Sequence, residues 1–382
     1  MNRLFSALPT TVFETMSCLA REHDAINLGQ GFPDDPGPEA VRRAAADAVV
    51  DGWNQYPPMM GLDAAREALA AFYAAEQGIA LDWRAEVMVT SGATEALAAA
   101  MFSLIEPGDE VILFPPMYDA YLPLVKRAGG VPVFVPLEPP SWRFDADVLR
   151  KAFTPKTRVV LLNNPVNPSG TLIPREDLEL LGALTADAGA IVVSDEVWEG
   201  TVYDDAPFTS VLHIDALRHS AVKIGSAGKL FSLTGWKVGW VCAAPALTAQ
   251  LARAHQFLTF TTPPNLQAAV AFGLGEGRGS IAETRAMLQG RRDRFAGGLE
   301  RLGFRVNPCA GTYFLTIDTR GEDDVAFCER LVRQGGVAAI PVSHFYAGHD
   351  PQRGTARLCF AKSPATLDAA LDRLAAFVAK AA

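Results

Sequence analysis

From Val87 onward, short β-branched runs alternate with helical patterns, and that alternation constrains this chain more than any other feature. It is the signature of βαβ units building a mainly parallel sheet. Strands are expected at Val87–Thr90, Val111–Phe114, Val131–Val135, Arg158–Asn163, Ile191–Ser194, Val222–Ser226 and Val238–Ala243. Most are near-continuous apolar runs, as strands covered on both faces should be. The segment Gly92–Glu106, rich in alanine and closed by Pro107-Gly108, reads as a helix between the first two strands.

After about Glu276 the texture changes. A long polar helical pattern over Ile281–Leu302 precedes strand candidates at Thr312–Asp318, Val337–Val342 and Ala356–Ala361, and a helix over Thr366–Ala381. The expected organisation is therefore a large α/β unit over residues 36–276 with a seven-stranded sheet between helices. A smaller α+β unit covers 277–382, and residues 1–35 are expected to pack against it. A length of 382 residues suits two such units.

Composition narrows the function classes. Apolar residues make up 49% and charged residues 20%, enough to bury large cores. With 34 basic and 43 acidic residues the formal charge is -9, and the acidic residues are scattered, which argues against nucleic acid or an anionic membrane as partner. No run approaches the roughly 18 apolar residues of a membrane span, and the first residues lack a signal-peptide core. The five cysteines include no C-x-x-C pair and read as reduced thiols, so a cytoplasmic protein is expected. His23, His213, His219, His255, His344 and His349 show no metal-ligand spacing, and no metal is expected. The glycine cluster Gly273–Gly279 has Arg278 where a dinucleotide fingerprint needs glycine, and it follows a helical pattern instead of a strand.

Four strand-end motifs carry chemistry. Lys229 follows an apolar strand ending in Gly225-Ser226-Ala227-Gly228, with Lys237 downstream as a second positive charge. A desolvated lysine beside another cation loses its proton more readily and can form Schiff bases with carbonyl compounds. Asp195 ends the run Ile191–Ser194, at the carboxyl edge where open α/β sheets bind ligands, and suits a carboxylate that keeps a pyridine nitrogen protonated. The rigid turn Asn164–Gly170 presents Asn167 as a donor to a phenolate oxygen. Ser91-Gly92-Ala93-Thr94, between a strand and a helix, offers backbone N–H groups to a phosphate. Taken singly, each has a commoner explanation: a surface lysine, a capping aspartate, an ordinary Asn-Pro turn, a capped helix start.

Together these pieces resemble the fold-type-I aminotransferases of class I/II, which depend on pyridoxal phosphate. The stretches Gly225–Lys229 and Thr234–Trp240 resemble their lysine motif, and Asn27–Asp34, Asn54-Gln55-Tyr56, Ser194–Val197 and His255-Gln256-Phe257 are similar to the kynurenine and glutamine-phenylpyruvate (methionine) branch. The resemblance covers the chain from about Leu8 to the last helix, which leaves no room for the DNA-binding domain of the regulators that share this fold. It implies Lys229 as Schiff-base lysine and proton shuttle, Asp195 on the pyridinium nitrogen and Asn167 on the ring oxygen. Tyr118 would stack on the ring, while Gly92, Ala93, Thr94, Ser226 and Lys237 would hold the phosphate. Tyr56 would reach in from a second subunit of a homodimer, and Arg357, with Gly31, would receive the substrate carboxylate. Trp198 stands where most relatives place tyrosine, and indole donates one hydrogen bond and cannot ionise. Phe13, Phe257, Phe260 and Tyr118 are expected around an apolar side-chain pocket. The implied reaction moves the amino group of an aromatic, methionine, glutamine or kynurenine-type L-amino acid to a 2-oxo acid. A cysteine-conjugate β-lyase and an N-succinyldiaminopimelate aminotransferase would use the same residues.

Overall fold

The computed structural model describes residues 2–346 and 353–381 of the chain, so His349 lies outside the described residues. Its centre is a seven-stranded sheet. In chain order the strands are β1 (Val87–Thr90), β2 (Glu110–Leu113), β3 (Val131–Phe134), β4 (Thr157–Asn163), β5 (Ile191–Asp195), β6 (Ala221–Ser226) and β7 (Gly239–Ala243). Across the sheet they run β1-β7-β6-β5-β4-β2-β3. All neighbours pair in parallel except β7, which is antiparallel to both β1 and β6. The seven expected strands all form, each within one residue of its expected bounds.

Side-chain alternation makes the layers. Val111, Leu113, Val159, Leu161 and Val241 point into one apolar cluster, with Leu97 and Ala100 of the helix Ala93–Leu104. Their neighbours Ile112, Val160, Leu162, Trp240 and Cys242 point into a second cluster with Leu178 and Leu181 of the helix Arg175–Ala188 and Leu69 of Asp63–Gln77. Because successive residues face opposite sides, a strand covered on both faces must be apolar throughout. That requirement produced the continuous apolar runs.

A second sheet has three strands, β8 (Phe314–Asp318), β9 (Ile340–Pro341) and β10 (Thr355–Cys359), in the order β8-β10-β9. It packs with Phe295 and Leu299 of the helix Gly279–Arg301, Phe327 and Leu331 of Asp324–Gly335, and Leu367 and Leu374 of Pro364–Ala381. The single strand expected over Val337–Val342 is instead broken. Val337–Ala338 pairs in parallel with Ile26–Asn27, while Ile340–Pro341 pairs antiparallel with β10. One short run thus serves two different sheets, and the ladder cannot continue through Ala339.

Candidate active site

The carboxyl ends of β4, β5 and β6 and the turn after β1 surround a cavity of about 180 Å³. Lining it are Gly92, Ala93, Thr94, Tyr118, Asn167, Asp195, Trp198, Ser226, Lys229 and Lys237, which the sequence placed at the site, together with Leu97, Tyr121, Asn163, Val197, Gly228 and Thr234.

One end of the cavity is built for an anion. The helix Ala93–Leu104 starts there with its free N–H groups, and the Tyr118 hydroxyl is hydrogen-bonded to the Thr94 side chain. A side chain at position 239 would lie 2.7 Å from the Ala93 nitrogen, so only glycine lets β7 begin against this helix start. Lys237, just before β7, has the left-handed backbone (φ 53°) rare outside glycine. That conformation carries its side chain over Gly92, where a Cβ would meet Lys237 Cε at 3.2 Å and Nζ at 3.5 Å.

Asp195 ends β5 and is buried. Burial pushes its carboxyl up to about 6, against the opposing pull of the Tyr121 hydroxyl, the Val197 N–H and the Lys229 ammonium. The Tyr121 hydroxyl donates to Oδ2 at 2.7 Å and the Val197 N–H to Oδ1 at 3.3 Å. The next residue, Glu196, is held from behind by the fully buried Lys223 of β6, whose ammonium also donates to Glu199 at 2.6 Å. This buried ion cluster ties β6 to the segment that follows Asp195, so the carboxylate cannot swing out of the cavity.

Lys229 is the third residue of the short helix Ala227–Leu230 after β6. Burial lowers its amine to about 8, helped by the charges of Arg357 and Lys237 and opposed by Cys359 and Asp195. Its Nζ donates to the Tyr313 hydroxyl at 2.8 Å and lies 4.5 Å above the Trp198 ring. Trp198 is 3% exposed and faces inward, with its ring edge-on to Tyr313 at 4.5 Å.

Arg357, on β10, is 1% exposed. Nη1 donates to Asn167 Oδ1 and Nη2 to the Gly29 carbonyl, each at 2.9 Å, while Nε has no partner among the described residues. The guanidinium stacks on Phe314 at 3.8 Å and lies 5.3 Å from Phe13 and 5.0 Å from Phe345. Burial depresses it to about 10. Among the described residues no carboxylate forms an ion pair with it, and only the charge of Asp119 acts on it from farther off; a buried guanidinium so placed suits an acidic ligand. Gly31 lies close by: a Cβ there would meet Phe314 Cζ at 2.7 Å.

Not every expected residue converges. Phe257 is 89% exposed, on a face shared with Met59 and Met60 and away from the cavity. Tyr56, 77% exposed, packs against Phe260 at 5.5 Å, and neither ring lines the cavity of its own chain.

Of the residues outside the expected set, three make side-chain hydrogen bonds to the expected ones. Asn163 accepts the Asn167 N–H at 2.7 Å and donates to the Asp195 carbonyl at 2.7 Å, linking β4, β5 and the turn. Tyr121 opens the helix Tyr121–Ala128 just after the turn that carries Tyr118, and the two rings meet edge-on at 5.7 Å. Tyr313 arrives from the other sheet and left no local signal. Tyr121→Phe is expected to lower kcat about 5- to 10-fold, because a hydrogen bond to a charged group contributes about 1.5–3 kcal/mol and only part of it is felt in the transition state. Steady-state kinetics with a good amino donor checks this.

Comparisons with known proteins agree with this geometry. Residues 23–374 match the family model of aminotransferase class I and II. The methionine aminotransferase of Escherichia coli is 41% identical over 371 residues, covering 96% of each chain. Human kynurenine–oxoglutarate transaminase 1 is 34% identical and covers 93% of each. The solved structure of N-succinyldiaminopimelate aminotransferase from Mycobacterium tuberculosis superposes with a TM-score of 0.94 at 42% identity, covering 99% of this chain and 100% of that one. With its lysine, buried aspartate and uncapped helix start facing one cavity, the chain belongs to the class I and II aminotransferases and is a pyridoxal-phosphate-dependent transaminase.

Proposed function

We propose that the enzyme transfers the amino group of an L-amino acid with an aromatic, methionine, glutamine or kynurenine-type side chain to a 2-oxo acid. The observation that carries this reading is the charge pattern of the site. Among the described residues the cations lining the cavity are Lys229 and Lys237, while Arg357 lies beside it packed among Phe13, Phe314 and Phe345. One arginine is available for the α-carboxylate, and the surrounding rings favour an uncharged side chain over a second carboxylate.

The residues fit the cofactor. Asp195, pushed up to about 6 by burial, is a carboxylate in want of a cation, and a protonated ring nitrogen meets that need. Pyridoxal phosphate, when bound, supplies a carbon that condenses with amines and a ring that accepts an electron pair. In this reading the phosphate is held by Gly92, Ala93, Thr94, Ser226 and Lys237, and Tyr118 and Trp198 flank the ring. Asn167 offers the ring oxygen its amide N–H, since its Oδ1 already accepts from Arg357. Arg357, together with the Gly31 loop, orients the substrate carboxylate. Lys229, its amine lowered to about 8 and so in part unprotonated near neutral pH, would take the α-proton at Nζ and later give it back.

The reading also includes a cytoplasmic homodimer in which Tyr56 and Phe260 serve the partner's site, supported by the exposed rings of Tyr56 (77%), Trp53 (72%) and Phe257 (89%). Free thiols at all five cysteines support the compartment. The division into residues 1–35, 36–276 and 277–382 is supported by the pairing of Ile26–Asn27 with Val337–Ala338.

A matrix of amino donors against 2-oxo acids tests the substrate class. Methionine, glutamine and aromatic donors are expected to exceed aspartate at least tenfold in kcat/KM, because a second carboxylate would be desolvated without a partner. Preference for aspartate would overturn the assignment. The same matrix should include N-succinyl-diaminopimelate chemistry, given the 42% identity to that enzyme, and cysteine conjugates scored for pyruvate and ammonia.

A further inference from the structure

Trp198 places an indole beside the catalytic amine, and indole has an N–H to donate but no lone pair to offer. The Lys229 amine finds its acceptor elsewhere: its Nζ donates to the Tyr313 hydroxyl at 2.8 Å. That hydroxyl has one proton, which it donates to the Gly31 carbonyl at 2.5 Å. With its proton committed, the oxygen can only accept from Lys229. Tyr313 is itself buried, 1% exposed and packed edge-on against Trp198 at 4.5 Å and Phe314 at 4.9 Å. Gly31 belongs to the loop whose Gly29 carbonyl receives Arg357. The result is a continuous chain of contacts from the amine, through one phenol, to the loop beside the carboxylate-binding arginine.

We propose that Tyr313 is a positioning residue of the transamination: its hydroxyl takes one N–H of Lys229 whenever that amine is free, and so holds the amine in a fixed orientation next to the substrate-binding loop. This rests on the reading of Lys229 as the catalytic lysine. The position matters because a free lysine has a flexible four-carbon stem, and proton transfer falls steeply when the base is misplaced by about 1 Å. Trp198 offers only the face of its ring, which attracts a cation but fixes no direction for an N–H.

The test is Tyr313→Phe, with Lys229 titrated in the cofactor-stripped full-length protein by competitive acetylation read by mass spectrometry. An acceptor stabilises an ammonium more than an amine, so its removal should lower the Lys229 pKa by about one unit. The other groups acting on Lys229, namely Asp195, Cys359, Arg357 and Lys237, are untouched by the change. In the holoenzyme kcat should fall about tenfold, with KM for the amino donor within about threefold, as expected when a base loses its aim and binding is kept. A lower amine pKa alone would leave more free base at neutral pH, so the fall in kcat reports orientation. Replacing Tyr313 by 3-fluorotyrosine keeps the ring and the hydroxyl but weakens the acceptor. It should move the titration in the same direction by a smaller amount, and it guards against a Phe variant that folds poorly. An unmoved Lys229 titration in both variants overturns the role of Tyr313. A shifted titration with unchanged kcat also overturns it, because the hydrogen bond would then exist without aiming the base; failure of the Lys229 assignment is read separately, from near-wild-type turnover of Lys229→Ala.

Discussion

Lys229→Ala is expected to lower kcat by at least ~10⁴-fold, the upper range for loss of a general acid-base group, and to abolish the absorbance change on mixing with an amino acid. Borohydride treatment should leave no cofactor mass on the variant polypeptide. No neighbour can substitute. Lys237, the other cavity-lining ammonium among the described residues, is committed by its left-handed backbone to the space above Gly92. The fold should survive, because the lysine is held below its ordinary pKa by burial and its charge is not needed to keep the chain folded. The linkage gives a separate signature. In the stripped wild-type protein the folded state binds fewer protons than the unfolded chain between about 8 and 10.5, so stability rises with pH across that window. The alanine variant should lack that rise in pH-dependent thermal melts. Turnover near wild type would sink the assignment.

Asp195→Asn carries the second large effect. The amide keeps the shape and can still accept from Tyr121, so the change isolates one negative charge. Removing one partner of a buried ion pair costs about 3–5 kcal/mol. If that pair forms with the ring nitrogen, kcat/KM should drop by ~10²–10⁴-fold and cofactor should be lost more easily on dialysis. Less than a threefold loss would show that the carboxylate does not face the ring. The stripped protein gives an independent check with the opposite sign. Because the carboxyl is raised from 3.8 to about 6, the folded wild type holds the extra proton in that window and its stability falls as pH rises through it. The Asn variant should not show that fall.

Much of the site was legible because its parts are local. Lys229, Asp195 and Asn167 each stand at or just beyond the carboxyl end of an apolar strand, where a parallel sheet presents ligand-binding groups. Tyr121 is three residues past Tyr118 across a turn, where no periodicity marks it. Arg357 was reachable only through resemblance, since nothing in Ala356-Arg357-Leu358 distinguishes a carboxylate clamp from a structural ion pair.

By itself, the order of residues determined the seven strands, their burial on both faces and the placing of Lys229 and Asp195 at one edge of the sheet, because periodicity and strand ends are properties of short segments. The tertiary structure alone decided that Trp198 turns inward beneath the Lys229 amine and that a tyrosine from the second sheet reaches it. It also broke the run Val337–Val342 between two sheets. These outcomes depend on which distant surfaces pack together, and no local pattern encodes a contact between residues 84 positions apart.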